Sequence, residues 1–192
     1  VNKHSPVKAF ETAKKTPNLK VSAAKKAAKK SDKKTKYAIL ENQLQDLTQI
    51  MCDIYSRFLF ESEVFAKRES AFLFPQQLEE IMLNAQKKAY GDGLDPEYLH
   101  PYMWAWKPHY YDAEYNYYNF PYAFGLLFAK GLYAEYLKKG ESFTSEYERL
   151  LSITGKNKIA DITKEVGIDI HNKEFWRNSL KTIEEDIEKF IE

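Results

Sequence analysis

Apolar residues recur at helical spacing along most of the chain after residue 36. The clearest series keeps steps of three or four residues, which places its side chains on one face of a long helix. This series consists of Leu40, Leu44, Leu47, Met51, Ile54 and Phe58. The hydrophobic pattern continues to Phe74, where Pro75 predicts a boundary because proline is tolerated only in the first turn of a helix.

Five further helices are predicted downstream, each ending at a glycine or at the end of the printed sequence. Pro75 starts the second, which ends at the Gly91-Asp92-Gly93 turn. The third begins at an Asn119 cap followed by Pro121 and ends at Gly140. The fourth begins at a Thr144 cap and ends at Gly155. The fifth begins near Ile159 and ends at Gly167, and the last begins near Trp176. No stretch alternates like a strand, so we predict an all-α fold, an antiparallel assembly of about six helices.

Two glycines, Gly125 and Gly131, lie inside the third predicted helix. Each costs about 1 kcal/mol relative to alanine. Glycine inside a helix usually allows close packing against another helix or the approach of a ligand to the backbone.

Charge divides the chain into two parts. Residues 1–36 hold twelve lysines against Glu11 and Asp32, a formal charge of +10, whereas residues 37–192 carry −9. The first part is poor in large apolar residues, so we expect a disordered tail or linker and place the helical domain at 37–192. A lysine run can also bind nucleic acid or an acidic membrane. Without interleaved arginines or aromatics it favours a solvated tail, so no specific nucleic acid or membrane partner is expected.

The most unusual part of the chain is the aromatic segment, Tyr98–Tyr122. It holds eleven aromatic rings in twenty-five positions, together with two histidines and three prolines. Tyrosine, tryptophan and histidine combine an apolar body with a polar tip, so they can line a ligand site while keeping donors free. An aromatic-rich buried helix pair is the alternative interpretation.

Several classes of protein are excluded or disfavoured by composition. The one cysteine, Cys52, cannot form an internal disulfide. No apolar run approaches the roughly 18 residues of a transmembrane helix, and the N-terminus lacks the apolar core of a signal peptide. The expected location is cytoplasmic.

Four stretches of the chain resemble the C-terminal portion of oligoendopeptidase F, a zinc metalloendopeptidase related to thimet oligopeptidase. They are ILENQLQDLTQIMCDIYSRFLFE (39–61), AQKKAYGDGLDPEYLHPYMWAWKPHYY (85–111), YNFPYAFGLLFAKGLYAEYLKKG (118–140) and LLSITGKNKIADITKEVGIDIHNKEFW (150–176). The resemblance covers about residues 38–192 in one order. It implies an all-helical lobe of a deep peptide-binding cleft and, in the intact enzyme, one zinc ion.

The resemblance also assigns roles within the aromatic segment. His109, Tyr115 and Tyr122 match the histidine and tyrosines that hold the oxyanion in the family, although one extra residue lies between His109 and Tyr115. Tyr118 is a second candidate for the phenol and, with His100 and Tyr111, is predicted to bind substrate. The alternative for His109 is a hydrogen bond to a backbone carbonyl.

The chain departs from the family at the metal. Its histidines are His4, His100, His109 and His171, so it contains no His-Glu-x-x-His motif. Glu11 in Phe10-Glu11-Thr12-Ala13 is a weak candidate for the third zinc ligand of the family, and coincidence is the favoured explanation because a three-residue match arises easily in a lysine-rich segment.

We therefore expect a fragment that binds no zinc, is inactive alone, and acts on short peptides together with an N-terminal portion carrying the zinc motif. A non-catalytic helical module that binds peptides in its aromatic groove is the alternative. A nucleic-acid-binding protein is a third possibility that the acidic body disfavours.

Overall fold

The computed structural model describes residues 32–191, and within that range it contains helices and no β-strand. The predicted all-α class is confirmed. The α-helices are α1 (Lys33–Thr48), α2 (Ile54–Arg68), α3 (Pro75–Tyr90), α4 (Phe120–Lys139), α5 (Phe143–Ile153), α6 (Ile159–Glu165) and α7 (Lys173–Ile191).

The chain divides into two units between Gln43 and Leu44, inside α1. Of the first unit the structure describes the start of α1 from Lys33, whereas the sequence placed the start of the helical domain at Tyr37. The rest of the predicted tail lies outside the described residues. The architecture described below concerns the second unit.

A turn of π-helix, Gln49–Asp53, joins α1 to α2 in one continuous helix. The π turn is wider than an α turn, so the faces before and after it are rotated relative to each other. Leu47 and Ile54 are buried as predicted, but Phe58 is 44% exposed. The stripe predicted through Phe58 is therefore wrong at its end.

Downstream of the π turn, the long helix buries polar as well as apolar side chains. Asp53, Ser56 and Glu61 are buried beside Phe60. The Ser56 hydroxyl donates to the Asp53 carbonyl at 2.7 Å, and the Arg57 guanidinium pairs with the Asp53 carboxylate. The aromatic segment contacts this helix through the Tyr117 N–H, which donates to Glu61, and the Tyr110 hydroxyl, which donates to the Arg57 carbonyl at 3.5 Å.

Several of the predicted helix ends match the structure, and others do not. Pro75 occupies the first turn of α3, and Gly91 ends it with φ +58°, which glycine adopts without steric cost. The Gln77 side chain accepts from the Phe74 N–H at 3.0 Å. Thr144 does not cap α5, which begins at Phe143 after a short 3₁₀ turn at Gly140–Ser142.

Two hydrophobic clusters form the core. The larger one is built by α4, α5, α6 and α7 around Leu132, Leu150 and Phe175. The second lies between α2, α3 and the aromatic segment, around Phe60, Ile81 and Met82. The most extensive helix pairs are α4 with α7 and α2 with α3. The clusters thus place the aromatic segment beside α2 and just before α4.

Gly131 and Gly125 have different environments on α4. A Cβ atom on Gly131 would collide with the Phe175 ring and lie 2.7 Å from Ser179 Oγ, both on α7. Close packing of α4 on α7 is therefore the reason for Gly131. Apart from its own stretch of helix, a Cβ on Gly125 would meet no atom of residues 32–191 within 4 Å.

None of the helices within residues 32–191 has the length and apolarity needed to cross a membrane. The cytoplasmic location stays a prediction.

The contact at Gly131 generates a stability prediction. Gly131→Ala should lower the free energy of unfolding by about 1–3 kcal/mol, because overpacking forces α4 away from α7. Gly125→Ala, a matched control on the same helix, should raise it by about 0.4–1 kcal/mol by restricting the unfolded chain. Chemical denaturation followed by circular dichroism measures both values. Equal effects of the two substitutions would contradict the packing argument.

Candidate active-site surface

Side chains of α2 and α3 hold the aromatic segment, because before α4 begins at Phe120 the segment contains only short 3₁₀ turns. Gln86 of α3 is fully buried, and its amide bonds the backbone of His100 twice. The Gln86 Nε2 donates to the His100 carbonyl at 2.9 Å, and the His100 N–H donates to Gln86 Oε1 at 3.0 Å. This pair of bonds fixes the start of the segment.

Glu61 of α2 holds the segment near its other end. Its Oε1 accepts the Tyr117 N–H at 2.8 Å. Tyr117 has φ +53°, a left-handed conformation that is unfavourable for a residue other than glycine. Its ring lies 5.5 Å from both Phe58 and Phe65. Glu61 and these two rings compensate for the strained backbone.

His109 lies on the 3₁₀ turn Pro108–Tyr111 and is half-buried. Its Nε2 lies 3.1 Å from Asn119 Nδ2, and its ring stacks on Tyr118 with centroids 5.6 Å apart. Because the amide NH₂ group only donates, Nε2 accepts and the imidazole proton is placed on Nδ1. His109 therefore bonds a side-chain amide rather than the backbone carbonyl of the alternative interpretation.

Asn119 precedes α4 as predicted, but its side chain makes no capping hydrogen bond. The same side chain is buried and contacts His109 instead. Asn119 is at the N-cap position, but the predicted side-chain cap does not form, because its backbone is already helical at φ −88° and ψ −10° whereas a capping residue is usually extended. Pro121 lies in the first turn of α4 as expected.

Three tyrosines complete what we call the His/Tyr cluster: His109, Tyr115, Tyr118 and Tyr122. The Tyr118 ring meets Tyr115 edge-on at 5.4 Å and Tyr122 at 6.4 Å. The three tyrosines are each roughly half exposed. A hydrogen bond with Tyr118 raises the pKa of the Tyr122 phenol, which therefore keeps its proton at neutral pH. The cluster thus presents phenols and an imidazole on one exposed surface.

The remaining predicted site residues have other contacts. His100 Nδ1 accepts the Tyr102 N–H at 3.1 Å, and the two rings meet edge-on. The Tyr111 hydroxyl donates to the Ala105 carbonyl at 2.9 Å. His100 thus orders its own loop, and the Tyr111 donor is used within the aromatic segment. Glu11 lies outside the described residues.

Burial lowers the pKa of His109, and the positive charges of Arg57 and Lys107 lower it further. The imidazole is therefore neutral at pH 7. Burial also lowers the pKa of Lys107, as does the charge of Arg57, whereas Asp53 opposes this shift. The electrostatics thus favour an uncharged hydrogen-bond donor at His109.

A cavity of about 470 Å³ opens beside the cluster, between α2 and the aromatic segment. Its lining includes Glu61 and Phe65 from α2 and His109, Tyr111 and Asp112 from the segment. The volume lies within the range of roughly 300–1,000 Å³ that is typical of small-molecule sites. The cavity and the cluster share His109.

The described residues do not fit a zinc ion. No group of three histidine, cysteine, aspartate or glutamate side chains within residues 32–191 is arranged to hold a metal. The chemistry that these residues support is hydrogen-bond donation by neutral groups.

Sequence reasoning missed Glu61, Arg57 and Asn119. Gln49, Asp53, Arg57 and Glu61 recur at four-residue intervals in an otherwise apolar stretch, which places Arg57 and Glu61 on one polar face of a helix. Such a stripe is more typical of a face in water, so it does not reveal the burial or the contacts of these two side chains. The partnership of Asn119 with His109 has no comparable signal in the sequence.

The environment of His109 generates a titration prediction. Its pKa should lie below 6.5 in NMR spectra of the ring protons, with the resonance assigned by its loss in His109→Gln. Because the unfolded chain binds the proton more tightly, this residue makes the protein less stable as pH falls through 6.5. Lys107→Met should raise the pKa by removing a like charge, yet leave it below 6.5 because burial dominates. A wild-type pKa at or above 6.5 would refute this account.

Comparison with known proteins bears on the identity of the chain. It is 29% identical over 134 residues to the oligopeptidase PepF of Bacillus subtilis (strain 168). The aligned region covers 69% of the chain and 20% of that protein. The chain thus spans about a fifth of that relative, and no solved structure matches it. The similarity confirms the predicted resemblance to oligoendopeptidase F. The sequence profile of peptidase family M3 matches residues 16–182, so the chain belongs to this family.

Proposed function

We propose that this chain supplies the side of an oligopeptidase active site that stabilises the negatively charged tetrahedral intermediate of peptide hydrolysis. One observation carries the proposal: a neutral His109 stacks on Tyr118 within an exposed cluster of phenols. Membership in peptidase family M3 supports the reaction class. The role of the individual residues follows from their chemistry.

Each member of the cluster is suited to donate a hydrogen bond to a developing oxyanion. Because His109 Nε2 faces Asn119, the Nδ1–H remains for substrate. The Tyr122 hydroxyl, which is hydrogen-bonded to Tyr118, would turn to the oxyanion as the first phenol donor, and Tyr115 or Tyr118 would provide the second. Preorganised neutral donors stabilise the charge in the transition state more than the neutral carbonyl of the substrate.

The substrates we propose are short peptides bound along the aromatic segment. The cluster and the cavity would form one wall of the cleft, with His100 and Tyr111 as contributors to its shape rather than as donors. A second portion of the same enzyme, carrying the His-Glu-x-x-His motif and the zinc ion, would form the opposite wall. The 192-residue sequence contains no such motif, so we expect the chain alone to be inactive.

Cleavage of a quenched fluorescent peptide library by the full-length gene product tests this proposal. His109→Ala and Tyr122→Phe should each lower kcat by about 10²-fold or more, the usual effect of removing one oxyanion donor. Tyr133→Phe is the matched control, since it removes an exposed phenol from the same helix, α4, outside the cluster. Its kcat should equal that of the wild type.

The variants must retain the zinc content and the melting temperature of the wild type for the losses to be assigned to donors. Unchanged turnover in both variants would refute the oxyanion role. Peptide binding without cleavage by the wild type would instead favour the non-catalytic peptide-binding module.

The division of the site between two portions predicts the metal content of the chain. Zinc titration of the 192-residue chain, monitored by isothermal calorimetry, should give no stoichiometric site of sub-micromolar Kd. The reason is that residues 32–191 contain no group of three side chains arranged to hold a metal. A stoichiometric tight site would contradict this division. Repeating the titration with Glu11→Gln would then test whether Glu11 contributes a ligand.

A further inference from the structure

The cavity beside His109 contains a carboxylate whose charge is incompletely balanced. Glu61 is 6% exposed, and the Tyr117 N–H is the hydrogen bond that the structure gives it. Its Oε1 makes that bond, and no described residue donates to Oε2. Burial raises the pKa of Glu61, and the bond from Tyr117 opposes this shift. A buried carboxylate with one neutral donor gains much from a cationic partner.

The rest of the lining reinforces the negative charge. Asp112 contributes a second carboxylate, of which Oδ1 accepts the Glu114 N–H at 3.0 Å. No lysine or arginine of residues 32–191 lines the cavity, and His109 is neutral at pH 7. The nearby Arg57 is paired with Asp53 and does not itself line the cavity. Carboxylates between low-dielectric walls concentrate the field on a bound cation.

Aromatic side chains form much of the remaining wall. Phe60, Phe65, Tyr110 and Tyr111 line the cavity. The faces of such rings attract cations, and a guanidinium group stacks on them while pairing with a carboxylate. The combination of carboxylates and aromatic rings fits an arginine side chain better than a neutral one.

We propose that this cavity is a subsite for an arginine side chain of the bound peptide, with Glu61 as its principal partner and Asp112 as the second. The inference rests on the proposed function, because the peptide backbone would lie along the His/Tyr cluster. Since the cavity shares His109 with the cluster, the arginine would be close to the scissile bond. The subsite would make the enzyme prefer peptides with arginine at that position.

Binding of two matched peptides to the 192-residue chain tests the subsite. Acetyl-Gly-Arg-Gly-amide should bind about tenfold or more tightly than its citrulline analogue, which has nearly the same shape without the charge. Glu61→Gln should reduce this ratio to about twofold or less. The variant should still fold, because the amide Oε1 can accept the Tyr117 N–H. Calorimetry or NMR shift titration measures both affinities.

Glu63→Gln is the matched control, with the same chemical change on the same helix. Glu63 is paired with Lys67 at 3.1 Å and does not line the cavity. It should keep the full preference for arginine. Asp112→Asn should lower the preference to a smaller extent than Glu61→Gln, which keeps the test decisive if Glu61→Gln fails to fold.

Three outcomes would overturn the subsite: equal affinity for the two peptides, a preference that survives Glu61→Gln, and no binding of either peptide. The proposed function has a separate test in peptide cleavage by the full-length gene product. An arginine preference that depends on Glu61, with no cleavage by that product, would leave the subsite standing and refute the peptidase role.

Discussion

The hydrogen bond from the Tyr117 N–H to Glu61 is the interaction on which the candidate site depends. It holds the aromatic segment at its one left-handed non-glycine residue, and it fixes the segment to α2 between the cluster residues Tyr115 and Tyr118. The π turn at Gln49–Asp53 matters for the same reason, because it changes which face of the long helix is buried. The buried carboxylate of Glu61 and the irregular aromatic segment therefore depend on each other.

That arrangement combines structure and chemistry in the same groups. Asn119 both precedes α4 and orients the imidazole of His109. Glu61 both fixes the backbone and gives the cavity its charge. Burial and the Arg57 charge keep the imidazole neutral. The site owes its properties to side chains on α2 as much as to the aromatic segment.

Much of the fold could be predicted from the sequence, because helical periodicity and glycine stops are local signals. The helix from Pro75 to Gly91 and the stop at Gly140 follow from such signals. The exposure of Phe58 could not be predicted, since nothing in residues 49–53 marks a π turn. A π turn is stabilised by tertiary packing rather than by local propensity.

For the site, the sequence singled out the aromatic segment and, through the family resemblance, the three residues His109, Tyr115 and Tyr122. Whether they would meet in space depends on contacts that are distant in the chain. The partners Glu61 and Asn119 act through such contacts, so periodicity and composition do not reveal their roles. The roles of the donors still rest on chemistry and resemblance.

The anchoring of the aromatic segment also has a consequence for the order of folding. The Tyr117–Glu61 bond closes a separation of 56 residues, and the bonds between Gln86 and His100 require a formed α3. Closing long loops is entropically costly, so we expect α2 and α3 to pair before the segment adopts its shape. Within the described residues, the segment should then assemble after these two helices and open before them. Under mild denaturation the chain would lose its chemistry while most of its helices remain intact.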